Sequence, residues 1–391
     1  MRPLPRPVWL LGWVSFFTDM ATEMVYPLLP VFLTRVLGAG AMSLGVIEGV
    51  AEAANSALKV ASGWMADRSR APKRLVLAGY GLSSAIRPLI ALATSWPQVL
   101  GIRFGDRLGK GIRGAPRDAM LAGFADPASR GRVYGFHRAM DHAGAVAGPL
   151  LATAFLYFYP GDYRTLFGLT IVPGIIVILV LLRVPEAPAP APAPAPAPGT
   201  MHPAHAPLPA TFWKAMAVIF IFTLGNASDA FLLLRLTDIG IPVVWIPLLW
   251  AALHVVKSLA SMWGGNLSDR VGRRVMIGAG WMVYALVYAG FAAFDGTIAL
   301  TCIFLSYGLY FGLTEGVEKA WVADMAPTDR RGVAFGVYNA TLGGGSLAAS
   351  LLFGVIWTRV SPQAAFLTGA ALAVLASALL YLIFSRPSDS R

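Results

Sequence analysis

The sequence predicts an all-α integral membrane protein, with twelve transmembrane helices arranged as two pseudo-symmetric six-helix bundles. Hydrophobic residues make up 57% of the 391-residue chain and charged residues only 13%, whereas a soluble domain usually carries about 25% charged residues. The apolar residues fall into about twelve stretches long enough to cross a bilayer, which takes roughly 20 residues each. A short charged hairpin also occurs twice, once in each half of the chain.

The net charge of +11 is distributed in a way that favours a membrane topology over nucleic-acid binding. Basic residues concentrate in alternate loops, such as residues 68–74, 130–132 and 270–274, and the intervening loops hold few. This positive-inside pattern predicts a plasma-membrane protein with both termini in the cytoplasm, in the inner membrane if the source is prokaryotic. We expect the bilayer, a small-molecule substrate and protons as partners, no nucleic acid, and a functional monomer.

The first three spans are predicted at residues 8–33, 42–66 and 75–94. Asp19 and Glu23 lie near the middle of the first span and, being four residues apart, share one helix face. Glu48 and Glu52 belong to a polar stripe at helical spacing along the second span. Residues 1–17 resemble a signal peptide but lack a cleavage site, so we interpret them as part of an uncleaved first span.

The fourth span, residues 99–122, is unusual because it contains seven charged residues. Each charge at the bilayer centre costs about 2.5–3.5 kcal/mol on insertion scales. We nevertheless predict a span, because the apolar residues 300–325 occupy the corresponding place in the second half. Arg107 then points into a wet bundle interior, where it either pairs with the carboxylates of the first span or forms a permanent pair with Asp106 or Asp118.

The predicted domains are an N-terminal six-helix bundle (residues 1–184), a linker (185–210) and a C-terminal six-helix bundle (211–391). The linker repeats Ala-Pro, which forms neither helix nor core and is typical of an extended spacer. Asp229 in the seventh span corresponds to Asp19 in the first, which supports a duplication. Parallel repeats of six spans characterise one large class of transporters.

The two charged hairpins share the pattern G-x-x-x-D-R followed by basic residues. We predict that they form a conformational latch, with carboxylates near helix N-termini and arginines pairing with neighbouring helices in one of two states. The alternative is that they carry topology charges only. The predicted latch residues are Gly63, Asp67, Arg68, Arg70, Arg74, Gly265, Asp269, Arg270, Arg273 and Arg274.

These hairpins resemble the signature of the major facilitator superfamily between helices two and three and between helices eight and nine. Two further motifs resemble the same family: Arg107-x-x-Lys110-Gly111 in the fourth span, and Gly144-x-x-x-Gly148-Pro149 in the fifth. The second motif is similar to that of the exporting, proton-antiporting branch. The resemblance, which covers the chain outside the linker, implies the twelve-helix fold of this family and solute transport.

Carboxylates inside a membrane must be paired, hydrated or protonated, so they mark candidate sites of proton binding. The alternative for each is a static ion pair, with Arg107, Lys59, Lys257 or Lys319 as partner. His254 is either a titrating group or a hydrogen-bonded core histidine. The predicted proton-coupling and substrate-cavity residues are Asp19, Glu23, Glu48, Glu52, Arg107, Asp229, His254, Lys257, Glu315 and Glu318. Tyr307, Tyr310, Phe311, Trp250 and Phe231 either form an aromatic wall of the cavity or serve packing alone.

The predicted function is secondary active transport by alternating access, as proton-coupled efflux of a small organic solute. The alternatives are a proton-coupled importer of a small metabolite and a membrane sensor or scaffold that does not transport. We expect no enzyme, because the sequence has no H-E-x-x-H, G-x-G-D or G-x-S-x-G motif. Cys302 is the single cysteine, and we expect no metal site and no cofactor.

Overall fold

The computed structural model describes residues 4–68, 72–124, 130–186, 207–327 and 330–384. These residues form twelve long helical segments, α1 to α12, and no strand occurs among them. The first six are α1 (Arg6–Val25, continued by Tyr26–Leu28, Leu29–Val31 and Phe32–Val36), α2 (Ala41–Arg68), α3 (Pro72–Ile86 and Arg87–Leu92), α4 (Trp96–Gly123), α5 (Arg130–Phe158) and α6 (Tyr163–Gly168 and Ile171–Leu182). The others are α7 (Ala210–Gly225 and Ala230–Asp238), α8 (Val243–Trp245 and Ile246–Val271), α9 (Arg273–Ala293), α10 (Thr297–Met325), α11 (Arg331–Arg359) and α12 (Pro362–Phe384).

The packing of the helices repeats from one half to the other. In the first half α1 packs on α5 and α6, α2 on α4, and α3 on α4 and α6. In the second half α7 packs on α11 and α12, α8 on α10, and α9 on α10 and α12. Each pair recurs six helices later, as expected for two pseudo-symmetric bundles. The boundaries at residues 184 and 211 stay a prediction.

The two halves meet mainly along two helix pairs. The α2 helix runs along α11, and α5 packs against α8. We call the end of the molecule at which α1 begins the basic end, since Arg74, Arg183 and Arg274 follow helices that return to it. At the other end, the opposite end, an Arg35 guanidinium nitrogen donates to the carbonyl oxygen of Thr237 at 3.3 Å, which joins α1 to α7.

Eight of these segments are long and apolar enough to cross a membrane by composition alone. The other four are α1, α2, α4 and α5, the helices that carry most of the charged residues considered below. Charge inside a span is tolerated where it faces protein or a wet cavity. The four helices that composition does not identify carry five of the ten predicted proton-coupling and cavity residues.

The charged fourth span is a helix, as predicted, and two buried ion pairs fix it in the bundle. Arg87 of α3 lies 2.9 Å from the Asp106 carboxylate, and Arg103 lies 2.7 Å from that of Glu48 on α2. All four side chains are at most 7% exposed. The interpretation that Arg107 pairs permanently with Asp106 or Asp118 does not match this geometry, because Asp106 pairs with Arg87 and Asp118 with Arg117.

We expect Arg87→Met to destabilise the protein strongly, because it leaves the Asp106 carboxylate buried without its partner. Breaking a buried pair typically costs about 3–5 kcal/mol, whereas replacing both members with apolar residues is often close to neutral. The double variant Arg87→Met/Asp106→Leu should therefore regain most of the thermal stability lost by the single variant. Thermal unfolding of the purified proteins tests this, and a double variant no more stable than Arg87→Met would contradict it.

Candidate functional site

The best-defined contacts between the two halves lie near the middle of the bundle, around Glu23 of α1. The indole nitrogen of Trp250 on α8 donates to the Glu23 carboxylate at 2.7 Å. Three cations also act on the Glu23 charge: Lys110, Lys257 and Arg107. Two of them belong to α4 and one to α8, so this carboxylate is shared between the halves.

A break in α7 supplies the second-half side of this centre. The helix stops at Gly225 and resumes at Ala230, leaving a short non-helical segment between them. Irregular backbone inside a membrane requires partners for its polar groups. The Tyr284 hydroxyl donates to the Gly225 carbonyl at 2.8 Å, and the Asn226 amide donates to the Tyr310 hydroxyl at 3.1 Å.

This break brings Ser228 and Asp229 to the interface. The Ser228 hydroxyl lies 3.3 Å from that of Tyr26 on α1, and it lies 3.5 Å from the Glu48 carboxylate. The Tyr307 hydroxyl donates to Asp229 at 2.7 Å, and the ammonium of Lys257 lies 3.9 Å from the same carboxylate. The Asp229–Lys257 pair is the static ion pair weighed as the alternative, although its distance is at the long limit.

Lys257 is held mainly by aromatic rings. Its ammonium lies 3.3 Å from the ring centroid of Phe311 and 5.7 Å from that of Trp250. Such cation–π contacts contribute about 0.5–2 kcal/mol, more where water is excluded. The amine therefore sits between the carboxylates of Glu23 and Asp229 and an aromatic surface.

Asp19 lies one helical turn nearer the basic end than Glu23. Its nearest charged neighbours include Asp141 of α5 and Lys110 of α4, and Glu23 also acts on it. Arg107 faces the same region, and its buried Nε atom has no hydrogen-bond partner within the described part of the chain. Asp19, Glu23 and Arg107 thus lie in one region of the bundle, and their role in proton coupling stays a prediction.

The remaining predicted acids divide between the interface and the second bundle. Glu48 is paired with Arg103, and Glu52 accepts a hydrogen bond from Asn55 at 3.2 Å. Glu318 is buried in the second bundle and accepts from Trp281 and Tyr338 at 3.0 and 3.1 Å. It is a fixed acceptor inside that bundle, away from the Glu23 centre.

Glu315 lies at the interface nearer the basic end. Its carboxylate is 3.2 Å from Arg138 of α5 and 3.4 Å from Lys319, so it links the two halves.

His254 packs edge-on against Trp250, with ring centroids 5.1 Å apart. Its Nε2 atom is buried without a partner among the described residues, so the hydrogen-bonded core histidine expected as the alternative is not formed at this nitrogen.

The aromatic wall stays a prediction, and the rings assigned to it pack in separate groups. Tyr307, Tyr310 and Phe311 pack on one another, with centroids 4.8–5.6 Å apart. Phe231 instead packs on Phe353 and Trp357 of α11, close to Gly45 of α2. Tyr307, Tyr310 and Trp250 are buried in the hydrophobic core, and Phe311 packs against it.

The glycine motif of α5 lies against α1. A methyl group added at Gly144 would lie 2.2 Å from the Phe16 carbonyl oxygen, and one added at Gly148 would lie 2.3 Å from that of Met20. Neither distance is compatible with a side chain. These glycines set how closely α5 approaches the helix that carries Asp19 and Glu23.

Most of the predicted latch lies outside the described residues or side chains. Arg70 lies outside the described residues. At Gly63, Asp67, Arg68, Gly265 and Asp269 the structure describes only the helical backbone. Arg74 and Arg270 are exposed. Arg273 pairs with Asp324 of α10, and Arg274 donates to the Phe384 carbonyl oxygen, beside a cavity of about 460 Å³ at the basic end. The latch stays a prediction.

Several residues of this interface were not predicted from the sequence. Arg87 could have been, because an arginine inside an apolar span indicates a buried ion pair or a functional site. Tyr26, Ser228 and Arg138 could not have been, because nothing in their local sequence separates them from ordinary helix residues. His137 and Asp141 of α5 lie four residues apart on one face, a spacing that could have been noticed.

Comparisons with known proteins agree with this architecture. The family model of the Major Facilitator Superfamily matches residues 11–318 and 255–391. An uncharacterized MFS-type transporter of Methanocaldococcus jannaschii is 34% identical over 388 residues, which cover 98% of this chain and 96% of the relative. The quinolone resistance protein NorA of Staphylococcus aureus is 24% identical over 155 residues, 40% of each chain.

A solved structure shows the same fold. It is a bacterial homologue of the human lysosomal transporter Spinster in an inward-facing and occupied conformation, with a TM-score of 0.76, 16% identity and 98% coverage of each chain. Together with the matching family model and the archaeal relative, this establishes the family. The chain is a multi-pass membrane protein that belongs to the Major Facilitator Superfamily.

Proposed function

We propose that the protein is a secondary active transporter that exchanges a small organic solute for protons by alternating access. The observation that carries the proposal is the hydrogen bond from Trp250 to Glu23, which joins the halves through a carboxylate inside the membrane. Protonation of Glu23 removes the charge that attracts this donor and the nearby cations. A proton therefore changes the contact on which the relative position of the halves depends.

The arrangement of the other charges supports proton coupling. Asp19 and Glu23 are neighbours on α1, and Asp229 lies across the interface beside Lys257. Ionised carboxylates at this depth are costly without a partner, so loss of a partner during rocking favours proton uptake. The protein's own residues then bind and release the proton, and no cofactor or covalent chemistry enters the proposal.

Export by antiport is supported by the α5 glycine motif, which resembles that of proton-antiporting exporters, and by the partial likeness to NorA. The basic-end arginines support a cytoplasmic location for that end, with both termini inside the cell. We propose the two bundles, residues 1–184 and 211–391, as the rocking units of a monomer. The aromatic rings beside Lys257 favour a solute with apolar surface.

One observation favours the second candidate, proton-coupled import. Three cations, Lys110, Lys257 and Arg107, act on Glu23. Protonation of this carboxylate would leave them available to an organic anion, which would then travel in the same direction as the proton. The two candidates thus differ in whether solute and proton compete for the site or bind together.

The test starts from a thermal-shift panel of drugs, sugars, organic acids and metallophores, each at two pH values. A ligand whose stabilisation depends on pH identifies a solute linked to protons. The protein is then reconstituted in liposomes that contain a fluorescent pH indicator, and the ligand is added outside. Antiport makes the lumen more alkaline as the ligand enters, and symport makes it more acidic. Ligand uptake with no change of lumen pH would refute proton coupling.

A further inference from the structure

A row of titratable side chains connects the central acids to the basic end. Glu23 and Asp19 occupy successive turns of α1, and Ser15, on the next turn toward the basic end, is hydrogen-bonded to Asp141 of α5. The Nδ1 atom of His137 lies 3.6 Å from the Asp141 carboxylate. His137 in turn lies within the field of Asp118, whose side chain is 52% exposed near the end of α4.

The depths of these groups increase steadily along the row. With a rise of 1.5 Å per residue, Asp118 lies about 8 Å and His137 about 10 Å from the basic-end termini of their helices. Asp141 lies level with Ser15 of α1, to which it is hydrogen-bonded, so Asp19 and Glu23 lie about 6 Å and about 12 Å deeper than Asp141. No step between successive members exceeds about one or two helical turns.

The middle of the row has the features of a proton relay. His137 is only 4% exposed, and its buried Nε2 atom has no hydrogen-bond partner among the described residues. The Ser15 hydroxyl donates to the other oxygen of Asp141, which holds that carboxylate toward both α1 and the histidine. A histidine with a purely structural role normally has both ring nitrogens hydrogen-bonded. The unpaired Nε2 atom destabilises the fold, and a role in proton transfer accounts for it.

We propose that His137 and Asp141 form the proton passage between the central acids and the basic end. This inference rests on the proposed proton coupling. An incoming proton bonds to Nε2 of His137, and the Nδ1–H bond breaks as its proton passes to the Asp141 carboxylate. Asp141 then gives a proton to Asp19, and His137 is left neutral. Release runs through the same bonds in reverse.

Other charged groups surround the passage and set its electrostatics. On α4, Arg117 and Asp118 face His137, and on α1, Asp19 faces Asp141. On α5 itself, Arg138 and His142 flank the pair, and across the interface His142 meets Glu315 of α10 and Lys257 and His254 of α8. The contacts of α1 with α7 lie on the other side of Glu23, toward the opposite end, so they are not part of the row.

The passage is tested without any solute, by proton uptake after a pH jump. Wild-type protein in lipid nanodiscs is mixed in a stopped-flow instrument with weakly buffered solution that contains a pH indicator. His137→Gln retains an amide that can donate to Asp141 but cannot relay a proton. We expect His137→Gln and Asp141→Asn to slow uptake by the central acids about tenfold or more, within the range known for positioned acid–base groups.

Two further variants separate a relay from a structural effect. His137→Glu restores a titratable group and should recover most of the rate. Tyr157→Phe, on an exposed residue near the other end of the same helix, should leave the rate unchanged. Uptake at the wild-type rate in both His137→Gln and Asp141→Asn would overturn the passage. If the Asp19→Asn/Glu23→Gln variant took up as many protons as wild type, the proposed coupling itself would fail instead. Should His137→Gln not fold, Asp141→Asn carries the same test.

Discussion

Replacing Glu23 with glutamine is expected to abolish the coupling between solute and proton movement. The amide resembles a permanently protonated carboxyl group in shape but cannot release a proton. It also removes the negative charge on which Lys110, Lys257 and Arg107 act, and it weakens the hydrogen bond from Trp250. A charge-assisted hydrogen bond is roughly twice as strong as a neutral one, so the contact between Trp250 and residue 23 becomes weaker. Because the amide does not titrate, the strength of this contact no longer depends on pH.

The measurement is the lumen pH of liposomes during uptake of a ligand identified by thermal shift. In Glu23→Gln the pH change per ligand transported should fall to the level of protein-free liposomes. Glu186→Gln is the matched control, because Glu186 is exposed after α6 and accepts from the backbone of Lys73. An unchanged proton-to-solute ratio in Glu23→Gln would exclude this carboxylate as the coupling group.

Replacing Gly148 with alanine is expected to cause a large loss of stability for the addition of one methyl group. The new methyl group would lie 2.3 Å from the Met20 carbonyl oxygen, which belongs to rigid helix backbone. The α1 and α5 helices must move apart, and overpacking of this kind typically costs about 1–3 kcal/mol. The same displacement moves Asp141 away from Asp19, so transport should fall together with stability.

Gly344→Ala provides the control for this variant. It lies in a helix, as Gly148 does, but an added methyl group there meets nothing within 4 Å. Thermal unfolding of both purified variants, together with ligand uptake, tests the prediction. Equal unfolding temperatures for Gly148→Ala and Gly344→Ala would show that the α1–α5 approach is not limited by this glycine.

The sequence identified the helices and the acids, but not their partners across the interface. Long apolar stretches predicted eleven of the twelve spans, and the corresponding positions of Asp19 and Asp229 supported the pseudo-symmetry. Even the charged α4 was predicted, because its counterpart α10 is apolar. These inferences depend on local patterns, which a single chain displays directly.

Contacts between distant residues were not predictable in the same way. Trp250 and Glu23 are far apart in the chain, and their meeting depends on how two bundles are docked. The segment between Gly225 and Ala230 contains no proline, so the sequence did not predict that α7 is interrupted there. Glu318 shows the opposite case, since its charge suggested a cavity residue while Trp281 and Tyr338 enclose it in the second bundle.

The most direct test of the account measures distances between the two halves as a function of pH. Cys302 is the single cysteine, so Cys302→Ser gives a background for spin labels. One pair of labels replaces Ala119 and Val333 at the basic end, and a second pair replaces Leu92 and Ile298 at the opposite end, all exposed positions. Double electron–electron resonance in nanodiscs then reports both distances.

Lowering the pH should change the two distances in opposite directions in the otherwise wild-type protein, because the halves rock about the central acids. The Asp19→Asn/Glu23→Gln variant should show one distance distribution at each end, independent of pH. Distances that do not respond to pH in the wild type, or that respond equally in the variant, would contradict the central claim.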